Sequence, residues 1–172
     1  EVIATALETT VQGLIFSGQA SFRETDEQLK VLVAANIVER RLSIKLTRLE
    51  LADIAGFLPQ YITTTENAKR LPSLPNFLRL AKALESRPSQ LLTLGASSVH
   101  ESYNVNPDAT RVVERMRLAR SERGYSRHKI SQITGIDPNH YATIETEKHL
   151  PNLMTIKAFA KGLGLGLDAL LD

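Results

Sequence analysis

The 172-residue sequence contains no cysteine and no tryptophan, and only 5% of its residues are aromatic. Without cysteine, the chain has no disulfides, no thiolate metal sites and no cysteine nucleophile. No segment approaches the roughly 20 apolar residues that span a bilayer, and the first residues lack the basic leader of a secretory signal. We therefore expect a cytoplasmic protein that does not bind membranes. Its 42% hydrophobic and 23% charged residues are typical of folded globular domains.

The excess of positive charge is small, with 21 Lys and Arg against 19 Asp and Glu. It is unevenly distributed, because 27–97 and 109–172 carry +4 and +3, whereas 1–26 and 98–108 carry −3 and −2. Two mildly basic units thus alternate with acidic segments. Such units suit nucleic acid, but domains with other partners show similar values.

An internal repeat is the most informative feature of the sequence. With a fixed offset of 79 residues, 32–93 aligns with 111–172 without a gap, and 17 of the 62 pairs are identical, against about 4 expected from composition. The chain is therefore predicted to be a tandem duplication. Its expected parts are an N-terminal extension (1–26), a first domain (27–95), a linker rich in loop-forming residues (96–108) and a second domain (109–172).

Helical periodicity and capping residues predict that each unit is all-α. In the second copy, Ser126 is suited to cap a helix that stops at Gly135, and in the first copy Thr47 and Gly56 take these positions and Pro59 opens the third helix. Asp137-Pro138 then pairs an N-cap with proline at the first helical position. The extension also has helical spacing of apolar residues, which predicts an amphipathic helix at about 2–16.

Two short helices joined by glycine and about three residues describe a helix-turn-helix. Residues 126–136 resemble the second helix and turn of the phage-repressor (Xre, lambda-repressor-like) DNA-binding family. Residues 144–153 resemble the end of that family's recognition helix and the start of its fourth helix, and 167–171 resemble its fifth helix. The residues that carry the resemblance are Ser126, Arg127, Ile130, Gly135, Ile144, Glu145, Lys148, Pro151, Leu153, Leu167, Leu170 and Leu171. It covers 111–172 well and 32–93 more loosely.

The resemblance implies an all-α fold of two tandem five-helix domains. It also implies a sequence-specific regulator of transcription that binds double-stranded DNA, with recognition helices near 59–66 and 138–145, and without enzymatic activity, cofactor or metal. Polar residues on the outer face of such a helix can reach base edges in the major groove. The candidate DNA-binding residues are Arg48, Gln60, Tyr61, Thr64, Lys69 and Arg70 in the first copy, and Arg127, Asn139, His140, Thr143 and Lys148 in the second.

Two further pairs at matching positions of the copies have a structural explanation. Arg41 with Glu66, and Arg120 with Glu145, match a family ion pair that ties the first helix to the recognition helix. We favour this interpretation over a catalytic carboxylate.

The first copy departs from the family pattern at its recognition helix. Leu58 stands where a polar cap is expected, with Phe57 beside it, and Thr65 is a polar residue at a core-facing position. The second copy is therefore predicted to be the better DNA reader and the first to be partly degenerate. The alternative is a protein-interaction module, such as an anti-activator or antitoxin-like partner binder. The sequence leaves open whether the two copies form a pseudo-dimer or whether the chain forms a homodimer through the N-terminal helix or the fifth helices.

Overall fold

The computed structural model of the protein describes residues 25–94 and 108–172, and every regular element in these ranges is helical. The predicted N-terminal helix and all of the predicted linker except residue 108 lie outside the described residues. The elements of the first domain are α1 (Asp26–Ser43), α2 (Arg48–Ala55), α3 (Pro59–Glu66), α4 (Leu74–Ala83) and a 3₁₀ helix (Gln90–Leu92). Those of the second domain are α5 (Ala109–Glu122), α6 (Arg127–Thr134), α7 (Pro138–Glu145), α8 (Leu153–Leu163) and α9 (Asp168–Leu171).

The second helix of each domain begins and ends at the predicted residues. Thr47 caps α2 in a capping box with Glu50, and Ser126 caps α6 by accepting a hydrogen bond from the Lys129 amide. Both helices end in a glycine with left-handed backbone, which a side chain would strain. The turn that leads to the recognition helix therefore starts at the glycine that ends the second helix, as expected from the sequence.

The fourth helices end in the same left-handed turn, although only one has glycine there. Gly164 has φ +64° after α8, whereas Glu85 has φ +48° at the matching position after α4. In the first domain Arg40 donates from Nε to the Leu84 carbonyl at 2.8 Å and from Nη2 to the Glu85 carbonyl at 2.9 Å. These bonds satisfy carbonyls at the helix end and stabilise a turn that is unfavourable for a non-glycine residue.

The two domains repeat one packing arrangement. In each, the second helix packs against the third and fourth, and the first helix packs against the third. The last element lies against the first helix, as the 3₁₀ helix does on α1 and α9 does on α5. Fully buried aromatic rings, Phe77 in the first domain and Tyr141 and Phe159 in the second, lie in the cores that hold these helices. The predicted all-α fold is thus confirmed in the described ranges, with a 3₁₀ turn in place of the first domain's fifth α-helix.

In the described parts of the chain, no helix combines the length and the hydropathy that a bilayer span requires.

Candidate nucleic-acid interface

The third helix of the second domain presents polar side chains from a firmly capped N-terminus. The Asp137 carboxylate accepts hydrogen bonds from the Asn139 amide at 3.0 Å and the His140 amide at 2.9 Å. The side chains of Asn139 and His140 are exposed, and Thr143 lies half-buried one turn later. The Thr143 hydroxyl donates to the His140 carbonyl at 2.8 Å. Backbone amides are thus satisfied internally while the amide and imidazole side chains face solvent.

The corresponding helix of the first domain is capped differently. Leu58 occupies the cap position, makes no side-chain cap bond and is 77% exposed. Gln60 is exposed, whereas Tyr61 and Thr64 are half-buried. The Thr64 hydroxyl lies 3.0 Å from both the Gln60 and the Tyr61 carbonyl oxygens. This helix therefore begins at the predicted proline without a polar side chain holding its first amides.

A buried carboxylate with two arginines ties three helices of the second domain together. The Glu145 side chain is 2% exposed and accepts from Arg120 Nε at 2.6 Å and from Arg127 Nε at 2.7 Å. Burial alone would raise the pKa of Glu145, but the hydrogen bonds from both arginines outweigh it, so the pKa lies below its usual value. The same bond to Glu145 raises the pKa of Arg120. The ionised cluster therefore links α5, α6 and α7.

The first domain contains the same cluster. Glu66, whose side chain is fully buried, accepts from Arg41 Nε and Arg48 Nε, both at 2.6 Å. The structure thus contains both ion pairs that the sequence indicated, each with a further arginine.

That further arginine, Arg48 or Arg127, stands at the start of the second helix, where the resemblance implied a DNA contact. Each side chain is 49% exposed, so its Nε is used inside the protein while about half of the side chain remains accessible. Sequence reasoning missed this internal contact.

Tyr61 lies in a ladder of stacked rings and guanidinium groups, which we call the Tyr61 stack (Arg79, Phe57, Tyr61 and Arg70). The Phe57 and Tyr61 ring centroids are 4.4 Å apart with an interplanar angle of 20°. The Arg79 guanidinium lies 4.2 Å from the Phe57 centroid, and that of Arg70 lies 4.7 Å from the Tyr61 centroid. Asn76 Nδ2 donates to the Tyr61 hydroxyl at 3.0 Å. The first domain therefore holds Tyr61 in a defined orientation without a cap.

The second domain has no counterpart of this stack, because its matching positions carry Ile136, His140, Ala158 and His149. The sequence did not show that Tyr61 is supported by three neighbours, Phe57, Asn76 and Arg79. Of these only Phe57 gave a signal, as an aromatic residue four positions before Tyr61.

Thr65, a departure from the family pattern, is 1% exposed and donates to the Tyr61 carbonyl at 2.8 Å. It is therefore accommodated and is not a packing defect.

Basic side chains follow each recognition helix. Lys69, Arg70 and Lys148 are exposed. The turn that carries them is fixed by backbone bonds from the Lys69 amide to the Thr64 carbonyl and from the Lys148 amide to the Thr143 carbonyl, both at 3.0 Å. In the residues that the structure describes, no three His, Asp or Glu side chains come together as a metal ion would require. The chemistry available on this face is thus hydrogen bonding and charge.

Comparison with known families matches both domains separately. A family model described as a helix-turn-helix domain matches residues 113–172, and one described as helix-turn-helix matches residues 37–91. No curated protein and no solved structure matches the chain. Both family models are of the Xre, lambda-repressor-like type. The chain therefore carries two helix-turn-helix domains of the phage-repressor (Xre, lambda-repressor-like) type in tandem.

Proposed function

We propose that the protein is a sequence-specific transcriptional regulator that reads the major groove of double-stranded DNA with α3 and α7, and that it has no enzymatic activity. The observation that carries this proposal is the exposure of Asn139 and His140 at the capped start of α7. A helix whose own amides are satisfied can offer these side chains to base edges. The proposed domain limits remain 27–95 and 109–172.

The individual contacts follow from the chemistry of each side chain. An asparagine amide can pair bidentately with adenine N6 and N7, which makes Asn139 the strongest candidate for base recognition. The Thr143 hydroxyl proton is engaged with the His140 carbonyl. Thr143 can therefore offer a base its oxygen lone pairs and its methyl group, which suits adenine N6 or the thymine methyl.

The cations have a different role, because contacts to phosphate orient a protein on DNA without reading sequence. Arg127 is oriented by its bond to Glu145 and is half-exposed, and Lys148 is exposed in the loop after α7. We assign both to phosphates, with Arg48, Lys69 and Arg70 as their counterparts in the first domain.

The first test is selection of random duplex DNA on the purified protein, followed by sequencing. An enriched motif is the expected result, and its half-site spacing would show how the two domains are used. If the folded protein enriches no sequence at low salt, the proposal is wrong.

Variants separate base contacts from phosphate contacts. Asn139→Ala should relax preference at one base pair, at a cost of about 1–3 kcal/mol for that base. Lys148→Ala should weaken binding to all sequences alike and lower the slope of log K against log salt by about 1. Lys161→Ala removes an equal charge from α8, outside the proposed contacts, and serves as the matched control. Identical binding by Asn139→Ala and the wild type would refute the assignment of α7.

A second candidate function rests on apolar exposure in the first domain. Leu42, Leu49 and Leu58 are 59%, 62% and 77% exposed, whereas the second domain has Ser121, His128 and Asp137 at these positions. Such a surface suits a protein partner, as in an anti-activator or antitoxin-like complex. Salt distinguishes the two functions, since DNA binding weakens steeply as salt rises and burial of leucines does not.

A further inference from the structure

The two domains are joined by a set of contacts that we call the clasp (Asp172, Ser89, Lys157 and Leu92). The Asp172 carboxylate accepts from the Ser89 amide at 3.0 Å and from the Ser89 hydroxyl at 2.5 Å. Lys157 Nζ donates to the Leu92 carbonyl at 3.3 Å. Helices α4 and α5 are also in contact, and the buried apolar residues form one cluster that includes both domains. The contacts therefore combine packing with charge-assisted hydrogen bonds, of which the bond from the Ser89 hydroxyl to Asp172 is the shortest.

The clasp depends on a difference between the two copies. Asp172 aligns with Thr93 and Ser89 aligns with Asp168 in the repeat. Thr93 uses its hydroxyl within its own domain, where it donates to the Ser89 carbonyl at 2.9 Å. A carboxylate accepts from two donors at once, so the acceptor at the end of the second domain suits the paired donors of Ser89. The two domains thus contribute unlike groups to their joint.

The two recognition surfaces also differ. The first domain presents Gln60 and a Tyr61 held in its stack, whereas the second presents Asn139 and His140 from a capped helix. Two helices with different side chains select different bases. If the two domains are joined rigidly, their different recognition helices would require two different half-sites in one order and at one spacing.

We propose that the clasp holds both domains as one unit, and that the DNA ligand of a single chain is a non-palindromic pair of half-sites at fixed spacing. This inference rests on the proposed function for its DNA part only. The relative orientation of α3 and α7 would be set in the free protein, so a change of spacing between the half-sites must break contacts of one domain.

The DNA experiment uses duplexes that carry both selected half-sites, at the selected spacing and with 5 bp inserted, which is about half a helical turn. The wild type should lose at least tenfold in affinity on insertion, whereas Asp172→Ala should lose less than threefold. Asp168→Ala removes an equal charge four residues earlier, outside the clasp, and should behave like the wild type. Ser89→Ala deletes one of the two donors and should give an intermediate loss.

Two results of this experiment would overturn the inference. The first is an equal spacing dependence in Asp172→Ala and wild type, with both shown to be folded by their amide NMR spectra. The second is a palindromic motif occupied by two chains.

A second experiment needs no DNA. Residual dipolar couplings of the wild type should fit a single alignment tensor for both domains, and those of Asp172→Ala should require two. One tensor in both proteins, or two in both, would refute the clasp. If random selection enriches no sequence, the proposed function fails, while this measurement still decides whether the domains are joined.

Discussion

The charge of Glu145 is predicted to be a main determinant of the stability of the second domain. Glu145→Gln keeps the size of the side chain but leaves Arg120 and Arg127 facing a neutral amide in a site where the carboxylate is 2% exposed. Removing one partner of a buried ion pair costs about 3–5 kcal/mol. Arg127 is 49% exposed and keeps access to water, so we expect the lower end, about 3 kcal/mol. In a domain of this size each kcal/mol lowers Tm by roughly 4–8 °C.

Native-state amide exchange in urea can follow this loss residue by residue, because the amides of Ile130 and Ile156 belong to buried residues in helices of the second domain. The matched control is Glu114→Gln, which removes an exposed carboxylate from α5 of the same domain and should change stability by less than about 0.5 kcal/mol. A loss below about 1 kcal/mol for Glu145→Gln, or one no larger than that of the control, would refute the assignment of the cluster as a structural tie.

Three further predictions concern the helix caps, the loss of stability at acid pH and the Tyr61 stack. In urea denaturation, Asp137→Ala should lower the free energy of unfolding by about 1 kcal/mol. Leu58→Asp should raise it by part of that amount, because it supplies the cap that α3 lacks. A Leu58→Asp variant that is less stable than the wild type would contradict this reasoning. Since the pKa of Glu145 is lowered by folding, its contribution to stability is fully present above the pKa of the unfolded chain and is lost as the pH falls through the folded pKa. The free energy of unfolding of Glu145→Gln, measured as a function of pH, should therefore fall less in acid than that of the wild type. An unchanged slope of this free energy against pH would be evidence that the Glu145 charge does not stabilise the fold. Phe57→Ala removes the ring stacked on Tyr61 and should lower selectivity at the first domain's half-site more than at the second, as selection with sequencing would show.

The parts of the fold that depend on neighbouring residues could be predicted from the sequence. Thr47, Ser126 and Asp137 cap helices because each side-chain oxygen reaches amides two or three residues further along. The glycine stops follow from the same local geometry. These features placed both helix-turn-helix units before any tertiary contact was known.

The contacts between distant segments could not be predicted in this way. Arg79 on α4 reaches Phe57 and the carbonyl of Gly56, yet no spacing rule relates these positions. The internal bond of Arg127 was also hidden, since a basic residue at a helix start suits a phosphate as well as a buried carboxylate. The departures at Leu58 and Thr65 suggested a partly degenerate first copy, which stays a prediction, and they gave no sign that Thr65 bonds internally or that Tyr61 is braced by stacking.

The contact between the second and fourth helices shows why one residue of a repeat cannot be judged without its partner. A Cβ added at Gly162 would lie 2.7 Å from Thr134 Cγ2 and 3.0 Å from the Ile133 carbonyl oxygen. At the matching positions the first domain has Ala55 and Ala83, both buried. The first domain thus has two alanines at this contact, whereas the second has the larger Thr134 and the smaller Gly162.

This exchange of size predicts a coupling that a double-mutant cycle can measure. Gly162→Ala alone should destabilise the second domain by about 1–3 kcal/mol, because the added methyl overlaps Thr134. In a Thr134→Ala background the 2.7 Å contact with Cγ2 is gone and the 3.2 Å contact with the Cα of residue 134 remains, while alanine gains up to about 1 kcal/mol over glycine in a helix. The nearby Ile133 carbonyl offsets part of that gain, so the same substitution should then be close to neutral. Additive losses, with a coupling below about 0.5 kcal/mol, would show that the backbone contact and not Thr134 excludes a side chain at Gly162.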